Sequence, residues 1–237
     1  ILHVFGSATM RVIERREIDR VSCHSGPPAV AVFLIPLVPR IQTNSWDLVE
    51  TNLGQTLDSL IRQDSGDWLA LVVGHERPKV IDQRHDSRVL FLRAPFSPSG
   101  DTKVASSDKH RKRRLGATWV AKKLAGSTWL IALDADDLVH KSFVSRLAIA
   151  PTGNQSEVVI FDAGYSYDAF NQDIRLWKSN FNRVCGSSFG AFLTKTELPR
   201  HSGDRHSTFS QVFSGKHAEV ARRALEIGVV CRVSEFR

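Results

Sequence analysis

Three aspartates, Asp134, Asp136 and Asp137, follow a short apolar run in the stretch LIALDADDLVH, residues 130–140. Carboxylates this close repel one another, and burying them without partners costs several kcal/mol. Two carboxylates in a D-x-D spacing can hold Mg²⁺ or Mn²⁺, which prefer oxygen ligands and bind one or two carboxylates together with substrate phosphates. The alternative is that Asp136 or Asp137 caps a helix beginning near Leu138. One aspartate suffices for a cap, so the group of three favours a cation site.

A concentration of basic residues precedes the aspartates. The chain has 237 residues and a formal net charge of +7, and the segment 77–123 holds thirteen Lys and Arg against four Asp. This charge indicates an anionic partner such as nucleic acid, a nucleotide diphosphate or a membrane surface. The densest part is KHRKRR, residues 109–114, which fits either a solvated helix face or a nucleic-acid patch. A basic helix beside a cation site also suits a diphosphate, so nucleic acid is the less expected partner.

The predicted elements alternate in a way that would place the aspartates at the end of a strand. Apolar, β-branched runs predict strands and amphipathic spacing predicts helices. Strands are predicted at 29–35, 67–74, 88–95, 127–133 and 156–164, and helices at 44–63, 108–126 and 144–150. The first helix has its predicted N-cap at Asn44 or Ser45. This order is typical of an α/β fold with a mostly parallel, doubly wound sheet, which binds ligands at the carboxyl ends of its strands.

Composition and length exclude other classes of protein. At 42% hydrophobic and 24% charged residues the chain resembles an ordinary globular protein. Its longest apolar stretch has ten residues and contains Pro36, which is too short for a membrane span. The three cysteines are too far apart in sequence for a zinc site, and they predict reduced thiols in a cytoplasmic protein. The N-terminal residues lack the pattern of a secretory signal, and we expect the chain to be a fragment or to begin at Met10.

Five motifs occur in a characteristic order along the first half of the chain. FLIPLVP ends the first predicted strand in proline, and TLDSLIRQ lies on the helix that follows. RRLG, residues 113–116, and LAG, residues 124–126, lie on the next long predicted helix, and LDADD comes at the end of the strand after it. In this order the motifs resemble the family 2 glycosyltransferases of the GT-A fold, and the resemblance covers roughly residues 29–145.

The resemblance implies a transfer reaction and assigns roles to residues. It implies a nucleotide-sugar donor, a hydroxyl group on a saccharide or lipid-linked acceptor, Mn²⁺ or Mg²⁺, and an inverting outcome in polysaccharide or glycoconjugate assembly. The residues implied to bind the nucleotide sugar are Pro36, Arg113, Asp134 and Asp136. Asp134 and Asp136 would also hold the metal, and Arg113 would face the diphosphate. A cytoplasmic location is implied, with peripheral association at the inner face of the membrane through the basic segment.

The sequence departs from the family pattern at two places. GHERP, with His75 and Glu76, stands where the family has an acidic cluster near the nucleotide base. The helix that carries RRLG is also longer than usual, so the role of Arg113 could pass to a neighbouring cation. The neighbours with the required charge are Arg111, Lys112 and Arg114.

The second half of the chain must supply the acceptor site and a general base. CGSSFGAFLTKTELP, residues 185–199, resembles the glycine-containing segment that lines the acceptor side in this family. An acceptor hydroxyl needs a base within hydrogen-bond reach as it attacks the anomeric carbon, and Asp204 is the candidate. His217 is the candidate third metal ligand, with His206 as its alternative.

These interpretations divide the chain into three parts. Residues 1–28 form an N-terminal extension of uncertain order, 29–150 the nucleotide-sugar-binding α/β half, and 151–237 the acceptor-side half of the same domain. Three other functions stay open at this point. A nucleotidyltransferase-like enzyme would use the same carboxylates and cation but release pyrophosphate. A nucleic-acid-binding module would use 109–114, and a degenerate glycosyltransferase would bind its donor without turnover.

Overall fold

The computed structural model describes residues 31–98, 105–124, 126–148, 156–168 and 171–234. Within these ranges the strands are β1 Ala31–Pro36, β2 Trp68–Gly74, β3 Val89–Arg93, β4 Thr128–Ala132, β5 Glu157–Phe161, β6 Gly164–Asp168, β7 Asp173–Trp177, β8 Phe189–Leu193 and β9 Val230–Ser234. Seven of them form one sheet in the order β3-β2-β1-β4-β8-β5-β9, and β6 pairs with β7 in a separate antiparallel sheet. In the large sheet β8 runs antiparallel to β4 and β5, and the other pairs are parallel.

Helices cover both faces of the large sheet. They are α1 Trp46–Ile61, α2 Lys79–Arg84, α3 Ala105–Lys123, α4 Phe143–Ala148, α5 Thr208–Phe213 and α6 Val220–Glu226. Side chains alternate along each strand, so Val32 and Leu34 of β1 pack on the side of α3, α5 and α6. Phe33 and Ile35 pack on the side of α1, α2 and α4. None of the described helices combines the length and apolar character that crossing a bilayer requires.

The predicted α/β architecture is confirmed, with differences at particular elements. Ser45 is the N-cap of α1 and accepts a hydrogen bond from the Leu48 N–H. Helix α2 was not predicted, because six residues after a proline are too few to show a helical period. Helix α3 begins at Ala105, before the predicted start, and its last helical residue is Lys123. Residues 1–28, and the first two residues of the predicted first strand, lie outside the described ranges.

Helix α3 approaches the sheet closely because a glycine faces β1. A Cβ atom added at Gly116 would lie 2.9 Å from Leu34 Cδ2 and 3.5 Å from Val73 Cγ2. Both neighbouring side chains are completely buried, so they have little room to move. This contact sets the depth of the helix that carries the basic run.

We expect Gly116→Val to lower the free energy of unfolding by about 1–3 kcal/mol, because the added methyl groups overpack this contact. The measurement is urea denaturation followed by circular dichroism. Gly66→Val serves as the control, since a Cβ there meets nothing closer than Arg88 Nη1 at 3.9 Å. Equal stability of the two variants would contradict the close packing of α3.

Candidate functional site

A cavity of about 520 Å³ opens at the carboxyl ends of β1 and β4. Its walls are residues 36–39, part of α1, the first half of α3 and the aspartate segment 134–136. Pro36 lines this cavity, and its role in binding a donor stays a prediction. The volume falls within the usual range of small-molecule sites, and the position is the one at which parallel α/β sheets bind their ligands.

The basic run on α3 is largely buried. Lys112, Arg113 and Arg114 are 1%, 4% and 7% exposed. Arg111 is exposed, and its guanidinium lies 3.8 Å from the centre of the Phe96 ring. The interpretation of 109–114 as a solvated helix face or a nucleic-acid patch is therefore not favoured, because three of its five cationic side chains are buried.

Lys112 belongs to a buried network at the end of β1. Its Nζ donates to the Leu37 carbonyl at 2.8 Å and to Asp108 Oδ2 at 2.5 Å. Asp108 Oδ1 lies 3.3 Å from His75 Nε2. Burial raises the pKa of Asp108, but the hydrogen bonds with His75 and Lys112 outweigh it and hold this pKa below its ordinary value. Burial lowers the pKa of Lys112, against the opposing effect of Asp108.

The departure GHERP thus has a structural explanation. His75 faces Asp108 of α3, and the carboxylate of Glu76 accepts a hydrogen bond from the Arg40 backbone N–H at 3.2 Å. Arg40 begins the short 3-10 turn that follows the cavity wall at 36–39. Both residues hold the segment after β1 in place.

Asp134 is neutralised by two cations from α3. Lys109 Nζ donates to its Oδ2 at 2.6 Å, and Arg113 Nη2 donates to its Oδ1 at 3.0 Å. Burial lowers the pKa of Arg113, while Asp134 and Asp137 partly restore it. Arg113 is therefore paired with Asp134, and its role towards a diphosphate stays a prediction. Sequence reasoning missed Lys109, although its spacing of four residues from Arg113 puts both on one helix face.

The other two aspartates differ in their surroundings. Asp136 is exposed, and within the described part of the chain its carboxylate has no hydrogen bond or ion pair. Asp137 is partly buried and accepts hydrogen bonds from Ser187 Oγ and Cys185 Sγ. Burial raises the pKa of Asp137, and it raises the pKa of the Cys185 thiol to about 12, so this thiol is unreactive at neutral pH.

The predicted helix near Leu138 is not formed, so the capping interpretation of the aspartates is wrong. The next helix, α4, begins only at Phe143. The chain between is held instead by α1 and the residues just after it: Ser59 Oγ accepts from the Val139 N–H at 3.1 Å, and Gln63 Nε2 donates to the His140 carbonyl at 2.8 Å. These contacts hold the backbone at Val139 and His140 in a conformation that is not helical.

The predicted residues of the second half lie outside the cavity wall. Asp204 accepts hydrogen bonds from the backbone N–H groups of Arg200, His206 and Ser207, which lower its pKa. His206 is exposed. The Nε2 atom of His217 is buried and has no hydrogen-bond partner among the described residues. The roles of Asp204 and His217 stay predictions.

The carboxylates fit a cation that is shared with phosphate, rather than a complete protein site. Among the described residues no group of three or more His, Cys, Asp or Glu side chains is close enough to hold a metal ion. Both oxygens of Asp134 already receive hydrogen bonds, and Asp136 is accessible. Mg²⁺ often binds one or two carboxylates and completes its shell with phosphate oxygens and water, so this donor set suits it.

Comparison with known proteins gives matches to solved structures alone. No protein-family model and no curated protein matches the chain. One similar structure is 4-diphosphocytidyl-2C-methyl-D-erythritol synthase from Anaerococcus prevotii, with 10% identity and a TM-score of 0.43 over 93% of this chain and 90% of that one. Another is a mannosyltransferase from Pyrobaculum calidifontis in complex with GDP-Man and Mn²⁺, with 12% identity and a TM-score of 0.47 over 98% of this chain and 66% of that one. These values are too low to assign an activity.

The buried network predicts a strong coupling between Lys112 and Asp108. Lys112→Met leaves the Asp108 carboxylate buried beside only His75, and should lower the free energy of unfolding by about 3 kcal/mol. The double variant Asp108→Asn/Lys112→Met removes both charges and should lose at least about 1 kcal/mol less than the sum of the single changes. Chemical denaturation of the parent, Lys112→Met, Asp108→Asn and the double variant measures the coupling. Additive losses of stability would refute it.

The surroundings of His110 predict that the stability of the protein depends on pH. Burial, with Arg113, Lys109 and Arg114 nearby, lowers the pKa of His110 to about 4 from an ordinary value of 6.5. The unfolded chain binds the proton more tightly, so stability is lost as pH falls from about 6.5 to about 4, by roughly 3 kcal/mol.

The variant His110→Gln should lose less stability than the parent between pH 7 and pH 4, measured by urea denaturation at each pH. The exposed His140, changed to Gln, is the control and should keep the parent's pH profile. A profile of His110→Gln that matches the parent would contradict the assignment.

Proposed function

We propose that the protein is a glycosyltransferase that moves a sugar from a nucleotide-diphosphate donor to a hydroxyl group of an acceptor. One observation carries the proposal: the D-x-D carboxylates and Lys109 line the cavity at the carboxyl ends of β1 and β4, and the buried Arg113 pairs with Asp134 there. Carboxylates and cations at one such edge suit a diphosphate and a divalent metal ion together.

The diphosphate would lie against α3. Lys109 is 36% exposed at its side chain and lines the cavity, so its ammonium group can turn from Asp134 towards a phosphate oxygen. Arg113 is almost fully buried, so it would stay in place and act through its fixed charge. The nucleoside would occupy the part of the cavity between residues 36–39 and α1, where Asn52 offers an amide.

Asp134 and Asp136 would hold Mn²⁺ or Mg²⁺ together with the phosphates. When bound, the cation would supply charge neutralisation for the leaving diphosphate. Because Asp134 is paired with Lys109 in the free protein, its release to the cation depends on the lysine moving to the phosphate.

The acceptor would approach from the second half of the chain, and an inverting reaction requires a base there. Asp204 stays the proposed base, but a carboxylate with a lowered pKa is a weaker base than usual. The proposed acceptor is a saccharide or a lipid-linked saccharide in polysaccharide or glycoconjugate assembly. The proposed location is cytoplasmic, with peripheral membrane association.

The test is a thermal shift with UDP, GDP and CDP, each with and without Mn²⁺. A ligand at about 100 times its Kd should raise the melting temperature by about 5–10 °C. Asp136→Asn should lose the Mn²⁺-dependent part of the shift. Asp173→Asn, which changes an exposed carboxylate of β7, is the control and should keep it.

The absence of a shift with every nucleotide would overturn the proposal. Stronger shifts with UTP or CTP than with the diphosphates would favour a nucleotidyltransferase, whose substrate carries a third phosphate.

A further inference from the structure

The turn of residues 185–188, in the second half of the chain, makes hydrogen bonds to the chain at Asp134 and Asp137. Ser187 Oγ accepts a hydrogen bond from the Asp134 backbone N–H at 2.7 Å and donates one to Asp137 Oδ2. We propose that Ser187 and Gly186 are positioning residues, which hold Asp134 and its partner Lys109 in the arrangement that binds the donor diphosphate. This inference rests on the proposed function, and it gives Gly186 and Ser187 a role at the donor site, whereas the resemblance implied only an acceptor-side position for the segment 185–199.

The chain between β4 and α4, which contains the aspartate segment, needs such support because it has little regular structure. Between the end of β4 and the start of α4 the chain forms neither helix nor strand. Each ordered backbone residue costs about 1–2 kcal/mol of conformational entropy, which local contacts must offset. Ser59 and Gln63 hold the later part of the segment, at Val139 and His140. Ser187 holds the earlier part, which carries the carboxylates.

Ser187 uses its hydroxyl group twice, in two directions. It accepts from the backbone of one aspartate and donates to the carboxylate of another, so a single side chain fixes both ends of the turn 134–137. That turn is closed by a hydrogen bond from the Asp137 N–H to the Asp134 carbonyl at 3.2 Å. Cys185 adds a weaker contact to the same carboxylate oxygen of Asp137, at 3.5 Å.

Gly186 acts through the space that it leaves open. A Cβ atom there would lie 2.8 Å from Asp134 Oδ2 and 3.5 Å from Lys109 Nζ. Its φ angle is not among the positive ones, so alanine would not strain the backbone. A side chain at residue 186 would therefore displace the Asp134 carboxylate or the Lys109 ammonium group from the ion pair.

The topology explains why this turn reaches the site. Strand β8 is antiparallel to β4, so the residues just before Phe189 lie at the edge where β4 ends. If β8 were parallel to β4, the carboxyl end of β8 would lie at the edge where β4 ends. The antiparallel strand brings its preceding turn to the aspartates instead.

The experiment compares Ser187→Ala, Ser187→Thr, Gly186→Ala and the control Ser145→Ala in the full chain. Ser145 Oγ also bonds to a backbone carbonyl and a carboxylate, but lies away from the cavity. The first measurement is hydrogen exchange at the Asp134 amide without ligand. The second is the Kd for UDP, GDP and CDP, each with Mn²⁺, by calorimetry.

Ser187→Ala should speed exchange at the Asp134 amide by at least about tenfold and raise the Kd of the bound nucleotide by about tenfold, with the Thr variant within about threefold of the parent. Gly186→Ala should raise the Kd by a similar factor and keep the amide protected, since its clash is with the side chains. The control should leave both quantities unchanged. If the substitutions acted only by destabilising the fold, they would lower the melting temperature. Ser187→Ala and Gly186→Ala would then not differ in the protection of the Asp134 amide.

Unchanged exchange in Ser187→Ala would overturn the positioning role, whatever the protein binds. Faster exchange with an unchanged Kd would overturn its connection to the ligand. If the parent binds none of the three nucleotides, the proposed function fails and the ligand part of this inference fails with it, while the exchange data still decide whether Ser187 holds Asp134.

Discussion

The structure depends on the neutralisation of positive charge buried beneath α3. Lys112 and Arg113 are almost completely buried, and an unpaired cation in such a place would cost many kcal/mol. The partners that remove this cost are Asp108 on the same helix, the Leu37 carbonyl after β1, and Asp134 after β4. The contacts that neutralise these two neighbouring cations therefore also tie α3 to the ends of two central strands, through a hydrogen bond after β1 and an ion pair after β4.

Much of the fold could be predicted from the sequence because it depends on patterns repeated along each element. Apolar β-branched runs gave the strands that flank the cavity, and the stripe on α1 gave that helix. From the sequence, TLDSLIRQ is one motif of a family pattern with no stated physical role. The structure shows what two of its residues contact. Ser59 on α1 and Gln63, two residues after its end, hold the backbone at Val139 and His140, just after the aspartates.

The rest depended on contacts between residues far apart in sequence, which no local pattern contains. The run KHRKRR has the composition of a surface patch, and its burial follows only from the presence of Asp108, Leu37 and Asp134 around it. Lys109 was missed for the same reason, since its partner lies 25 residues away. The helix near Leu138 was the alternative that local capping signals offered, and the contacts with Ser59 and Gln63 override those signals.

The pairing of Asp134 with Lys109 also constrains how a charged ligand could enter the cavity. A diphosphate alone can attract Lys109 only by leaving one carboxylate oxygen of Asp134 without its partner. A divalent cation alone would meet a carboxylate that is already neutralised by Lys109 and Arg113. When both enter together, the lysine can pair with phosphate while the carboxylate pairs with the cation, and no charge is left uncompensated. Binding of the two ligands should therefore be positively coupled, and by linkage each would raise the affinity for the other by the same factor.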